Sequence, residues 1–213
     1  QDAGFSIVTY TGTGVNATVG HGLGVAPSMM IVKARNSAEN WNVYHASLGA
    51  TKVISLNDPG GSTTNSLPWN NTAPTSTVFS LGTGGDVNVN TQTQVAYCFA
   101  EVPGYSKFGS YTGNGLPDGV FVHLGFRARY LLIKASSTSG YSWNIIDTAR
   151  DTYNTQGLYL FANTVGTEGS GSNVDILSNG FKLRNAGAGV NGSGITYIYM
   201  AFAENPFKNS LAR

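Results

Sequence analysis

Hydrophobic residues along this chain come in short runs, many of them alternating with polar residues, and no long stretch follows the helical period. Phe5–Tyr10 is a β-branched and aromatic run ending in Thr-Gly-Thr-Gly, which predicts a strand entering a turn. Ala17–Gly24 alternates small and polar residues around His21. Met29–Ala34, an apolar run after Pro27, predicts a central strand. Trp41–His45 alternates strictly, with Trp41, Val43 and His45 on one face and Asn42 and Tyr44 on the other. Lys52–Leu56, Val78–Leu81, Asp86–Asn90 and Gln94–Ala100 complete a first set of strands. Between them, Asn57–Thr77 is polar, aperiodic and contains Pro59, Pro68 and Pro74, so it predicts a long loop. Loops of that length in compact domains are usually functional or disordered.

The pattern then starts again. Phe108–Tyr111, Tyr130–Lys134, Trp143–Asp147, Leu158–Phe161, Val174–Leu177, Phe181–Arg184 and Thr196–Ala203 form a second set of strands. Its counterpart to the long loop, Asn163–Asn173, is shorter and has no aromatic residue. Helix is limited to single turns at Ser37–Asn40 and Asp147–Thr152. Spelling repeats with the pattern: Tyr10-Thr11-Gly12 returns as Tyr111-Thr112-Gly113, Lys33 as Lys134, Trp41 as Trp143, and Phe99-Ala100-Glu101 as Phe202-Ala203-Glu204. The offset rises slowly from 101 to 103 residues, as a duplication with small loop insertions would give. The expected fold is all-β: two similar antiparallel β-sandwich lobes from an internal duplication, residues 1–104 and 105–213.

Composition narrows the function classes. Only 11% of the residues are charged, and twelve basic residues nearly balance eleven acidic ones without forming runs. A nucleic-acid partner needs clustered Lys and Arg, which this chain lacks. No apolar segment approaches the roughly 20 residues of a membrane-spanning helix. The single Cys98 lies in an apolar strand and reads as a small buried hydrophobe.

The repeat serves as an internal control on candidate chemistry. Residues present in both halves, such as Trp41 with Trp143 or Glu101 with Glu204, read as fold markers, with each Glu capping the turn into Pro103 or Pro206. His21, His45 and His123 share no ligand spacing with one another or with Cys98, so no metal site is expected. No nucleophile elbow, phosphate loop or dinucleotide fingerprint occurs. The glycine-rich segments Gly166–Gly171 and Gly187–Gly194 read as flexible loops. Asn16, Asn70 and Asn191 begin glycosylation sequons by spelling alone. Trp69 stands apart: it lies in the longest loop beside Asn65, Asn70, Asn71 and Thr72 and has no partner in the second half. An aromatic ring among amides can cover the C–H face of a sugar while the amides bond its hydroxyls. Two readings stay open for it: a ligand platform, or burial over the sandwich or against a neighbouring subunit.

The strings HGLGVAP, IVKAR, NWNVYHASLGAT, WNNTAPTSTVFSLG, VAYCFAEVPGYSKFGSYTGNG, LSNGFKLR and YIYMAFAENPF resemble a C-terminal module of tailed-bacteriophage tail-fibre-like virion proteins, common in marine phages. The resemblance runs from about Phe5 to Phe207. It implies a virion protein, assembled in the bacterial host cytoplasm and then extracellular, with other virion proteins and copies of itself as partners. It brings no catalytic residues and no cofactor, and the start at Gln1 directly before the first strand suggests a longer N-terminal part. The expected function is non-enzymatic adhesion to a host-surface glycan. The alternative is a purely architectural subunit of a capsid decoration, fibre or tube.

Overall fold

A computed structural model describes residues 3–205, so Pro206 and the turn expected there lie outside the described residues. Sixteen strands and no α-helix occur among them. The chain forms two compact units: Gln1–Asp58 with Ser62–Glu101, and Val102–Arg213 with Pro59–Gly61.

The first unit contains β1 (Phe5–Thr11), β2 (Ala17–Gly20), β3 (Met29–Ala34), β4 (Asn42–His45), β5 (Lys52–Ser55), β6 (Thr63–Thr64), β7 (Val78–Leu81) and β8 (Thr93–Phe99). They pair in the order β1-β8-β3-β4-β5-β6, with β2-β7 as a separate ladder. The second unit contains β9 (Ser106–Thr112), β10 (Phe121–His123), β11 (Ala128–Ala135), β12 (Asn144–Asp147), β13 (Gln156–Phe161), β14 (Gly169–Leu177), β15 (Gly180–Leu183) and β16 (Thr196–Ala203). Their order is β10-β15-β14-β13-β12-β11-β16-β9. Numbered from the start of each unit, the two orders are the same, except that the sixth and seventh strands do not pair in the first. All pairs are antiparallel.

Each unit folds its strands into two facing layers. In the second, Tyr111 on β9 packs edge-on against Phe181 on β15 with ring centroids 5.9 Å apart, and Phe181 meets Tyr199 on β16 at 5.7 Å. In the first, Tyr10 on β1 meets Phe79 on β7 at 6.1 Å in the corresponding place. Around these contacts lie Met30, Val32, Ala96 and Cys98 in the first core, and Leu131, Ile133, Val174 and Ile176 in the second. β8 alternates buried and half-buried along its length, whereas β3 is buried on both faces, as its unbroken apolar spelling requires.

The repeated spellings have mechanical reasons. Tyr10 Oη donates to the Val87 carbonyl at 2.7 Å, and Tyr111 Oη to that of Val190 at 2.6 Å. In each unit the next residue is a buried Asn. Asn88 Oδ1 accepts from Thr13 N–H at 2.9 Å, and its Nδ2 donates to the Val15 and Gly82 carbonyls at 2.7 Å each. Asn191 Oδ1 likewise accepts from Asn114 N–H at 3.1 Å, while Nδ2 donates to the Leu116 and Asn185 carbonyls at 3.0 and 2.8 Å. Glycine follows the Tyr-Thr pair because the two segments touch there. A Cβ on Gly12 would lie 2.1 Å from Val89 O, and one on Gly113 would lie 2.4 Å from Gly192 O. Lys33 Nζ donates to the Ala34 and Ser37 carbonyls at 2.8 and 3.0 Å. Lys134, fully buried, donates to the Tyr141 and Pro59 carbonyls at 2.5 and 3.0 Å. Each lysine ties down the loop that follows its strand.

Several local expectations are corrected. Asp86–Asn90 is a turn, because the Gly84 carbonyl accepts from both Val87 and Asn88 N–H and aims Asn88 inward. Gly169–Gly171 belongs to β14, where Gly169 and Ser170 pair with β13. β10 forms although its run is short, through pairing of Val122 with Phe181. Glu204 accepts from Arg127 Nε at 2.8 Å, and Glu101 is exposed, so the turn at Val102 is held instead by Ser106 Oγ, which accepts from Val102 N–H at 3.0 Å.

Candidate functional site

The loop singled out from sequence folds inward. Trp69 is 1% exposed and lies in the first core, edge-on to Tyr44 at 6.0 Å. Of the two readings, burial holds, for a topological reason. In the second unit the sixth strand, β14, sends Val174 and Ile176 into the core; in the first, β6 is two exposed threonines. Trp69 supplies the missing apolar volume from the loop.

Its neighbours build the turn that carries it. Asn70 and Asn71 have left-handed φ values of 50° and 48°, which Asn tolerates better than most residues. Thr72 N–H donates to Trp69 O at 3.0 Å, and Thr72 Oγ1 donates to Asn70 O at 2.8 Å. Asn65 Oδ1 accepts from Leu67 N–H, and Asn70 Oδ1 from Asn16 Nδ2. Asn70, Asn71 and Thr72 stay exposed, Asn65 is half-buried, and no aromatic face stands among them. The sugar platform read into this loop is absent.

An aromatic and amide constellation does exist, in the second unit. A groove of about 350 Å³ opens between β12–β14 and the loops 140–142 and 185–190. Tyr159 and Phe161, two apart on β13 and so on one face, stand with ring centroids 4.8 Å apart and planes inclined by 42°. Tyr141, on the loop after β11, also lines it, with Ser142, Asn144 and Asn185 adding hydroxyl and amide groups. No lining residue is charged. The Tyr159 ring lies across Gly169 on β14, where a Cβ would come within 2.4 Å of it.

Buried polar groups hold the groove walls. Lys134 binds the Tyr141 carbonyl from behind, and Gly140 N–H donates to Pro59 O at 3.0 Å. Tyr197 Oη donates to Ala188 O at 2.6 Å and accepts from Gly192 N–H at 2.8 Å; burial pushes this phenol above its ordinary pKa. Asn191 holds Asn185 from below, and Asn144 Nδ2 joins the two walls through the Ser142 and Gly189 carbonyls at 3.1 and 3.3 Å. Ser142 Oγ accepts from Asn163 Nδ2 at 3.1 Å and keeps its own proton to donate.

Strand register shows that this feature belongs to one unit. Asn144 pairs with Phe161 as Asn42 pairs with Ser55, so Tyr159 and Phe161 stand where the first unit has Val53 and Ser55. Setting LYLF beside KVIS shows the substitution in the sequence, but Leu158–Phe161 by itself is ordinary strand spelling. Among the described residues no group of His, Cys, Asp or Glu is placed to hold a metal ion.

Fold and groove together define an all-β protein of two antiparallel sandwich units, one of them bearing a neutral aromatic groove. A family described as Domain of unknown function (DUF7483) matches residues 1–206, and the chain belongs to that family. Comparison with curated proteins and with solved structures returns no match.

Proposed function

We propose that this chain is a non-enzymatic structural module of a tailed-bacteriophage virion, built by internal duplication and used at a tail fibre or other surface appendage to adhere to host-surface glycans. The observation that carries the reading is the groove of the second unit, where three aromatic rings and several amide and hydroxyl groups converge without a charge. Such a lining suits a neutral, hydroxyl-rich ligand. Weak single contacts become firm attachment when many copies act together on one particle. Glu204, held by Arg127, is a carboxylate committed to structure, which fits binding without hydrolysis.

A second reading, an architectural subunit, is favoured by one observation. β1 is a sheet edge in the first unit, and its Phe5 and Ile7 are 38% and 58% exposed. An exposed apolar edge strand is a surface on which further chains can pair. Binding of the labelled chain to bacterial cells, before and after periodate cleavage of their surface diols, tests the two. Adhesion predicts binding that periodate abolishes. Ordered polymers or rings from a chain that ignores the cells would instead establish the architectural role.

A further inference from the structure

The geometry points to the groove of the second unit as a subsite for one or two neutral pyranose rings, stacked on Tyr159 and Phe161 and bonded at their hydroxyls by Ser142 and the surrounding amides. The inference rests on the adhesion reading and deepens it, since it names the site and the ligand class. Four observations lead there.

The first is size. About 350 Å³ lies at the small end of the roughly 300–1,000 Å³ range of ligand pockets, enough for a short saccharide and too little for a long polymer segment. The second is the ring pair. The π-faces of Tyr159 and Phe161 are electron-rich, and the axial C–H groups on one face of a pyranose are weakly positive.

The third is neutrality. A uronate or sulfate entering this groove would lose water and meet no cation, which is costly, whereas a neutral sugar loses only hydroxyl hydration that Ser142 and the loop backbone replace. The fourth is rigidity. Lys134, Asn144, Asn191 and Tyr197 hold both walls before any ligand arrives, so little ordering remains to oppose binding.

Gly189 gives a clean way to close the site. It lines the groove, and a Cβ there meets nothing within 4 Å. Gly189→Leu should therefore fill the space from the wall and leave the core untouched. Tyr159→Ala removes the platform, and Tyr159→Phe keeps the ring.

The full chain is tested against immobilised dextran, mannan and galactan, and against dextran sulfate and alginate, at low and high salt. The expected result is retention on at least one neutral polymer, unchanged by salt and reversed by free methyl glycoside. Gly189→Leu and Tyr159→Ala should each weaken it by about tenfold or more, and Tyr159→Phe by no more than about twofold. Retention on charged polymers alone, or its loss at high salt, overturns the assignment. If both groove variants bind like the unaltered chain, the groove is excluded and adhesion through another surface stands. If the unaltered chain holds no neutral polymer and no cells, the adhesion reading falls with the groove.

Discussion

Trp69 shows how far a residue's meaning depends on its surroundings. In the sequence it is an aromatic in a long polar loop; in the fold it is the largest side chain of the first core. Trp69→Ala should cost about 3–5 kcal/mol, the usual loss for a fully buried large aromatic, measured by denaturant unfolding. A change under about 1 kcal/mol would return the residue to the surface. Asn191 gives the polar counterpart. It is fully buried, and removing its amide would cut its bonds to the Asn114 N–H and to the Leu116 and Asn185 carbonyls, worth about 0.5–1.5 kcal/mol net each. Asn191→Ala should accordingly cost about 2–4 kcal/mol. The same burial closes its sequon, so expression in a glycosylating host should leave Asn191 unmodified in a peptide mass map.

At the level of elements, the repeat in spelling becomes a repeat of constraints. Tyr-Thr-Gly is a tyrosine anchor followed by a point of backbone contact, and Lys33 and Lys134 close the loops after their strands. Gly12→Ala and Gly113→Ala should each destabilise by about 1–3 kcal/mol or more, since the new methyl would press on a carbonyl oxygen that sits in a fixed turn. The elements also differ in how well they are secured. β8 and β16 are paired on both sides along their length, while β6 is a two-residue edge with both threonines exposed. Hydrogen exchange should find the amides of β8 and β16 among the slowest and those of Thr63 and Thr64 among the fastest. Rapid exchange throughout β8 would contradict this core.

For the whole molecule, burial of acidic side chains with neutral protonated forms sets a limit at high pH. Burial pushes the Cys98 thiol from its ordinary 9.0 up to about 12. Burial, with Asp147 adding to it and Arg150 opposing it, takes the Tyr130 phenol from 10.0 up to about 12. Both groups hold their proton more tightly in the folded chain than in the unfolded one. Their contribution is therefore complete below about pH 9 and disappears as the pH climbs through about 12. The denaturant midpoint should fall across that window, and more shallowly in Cys98→Ala. At neutral pH the thiol should resist thiol-reactive reagents until the protein is unfolded.

The sequence by itself determined the class of fold, most strand positions and the repetition. Each follows from local rules: side-chain alternation along a strand, the turn chemistry of Gly, Asn and Pro, and a spelling that returns at a steady offset. It also carried the shortage of charge that makes the groove neutral. Tertiary structure decided which way the special residues face. Nothing local tells Trp69 that β6 will be too short to fill its core, or Asn191 that the segments at 114–116 and 185 will meet on its amide. Nor does LYLF announce that Tyr159 and Phe161 will border a groove rather than a neighbouring sheet, because the walls come from loops 140–142 and 185–190, far away along the chain. Burial and convergence are properties of pairs distant in sequence, and only the closed sheets bring those pairs together.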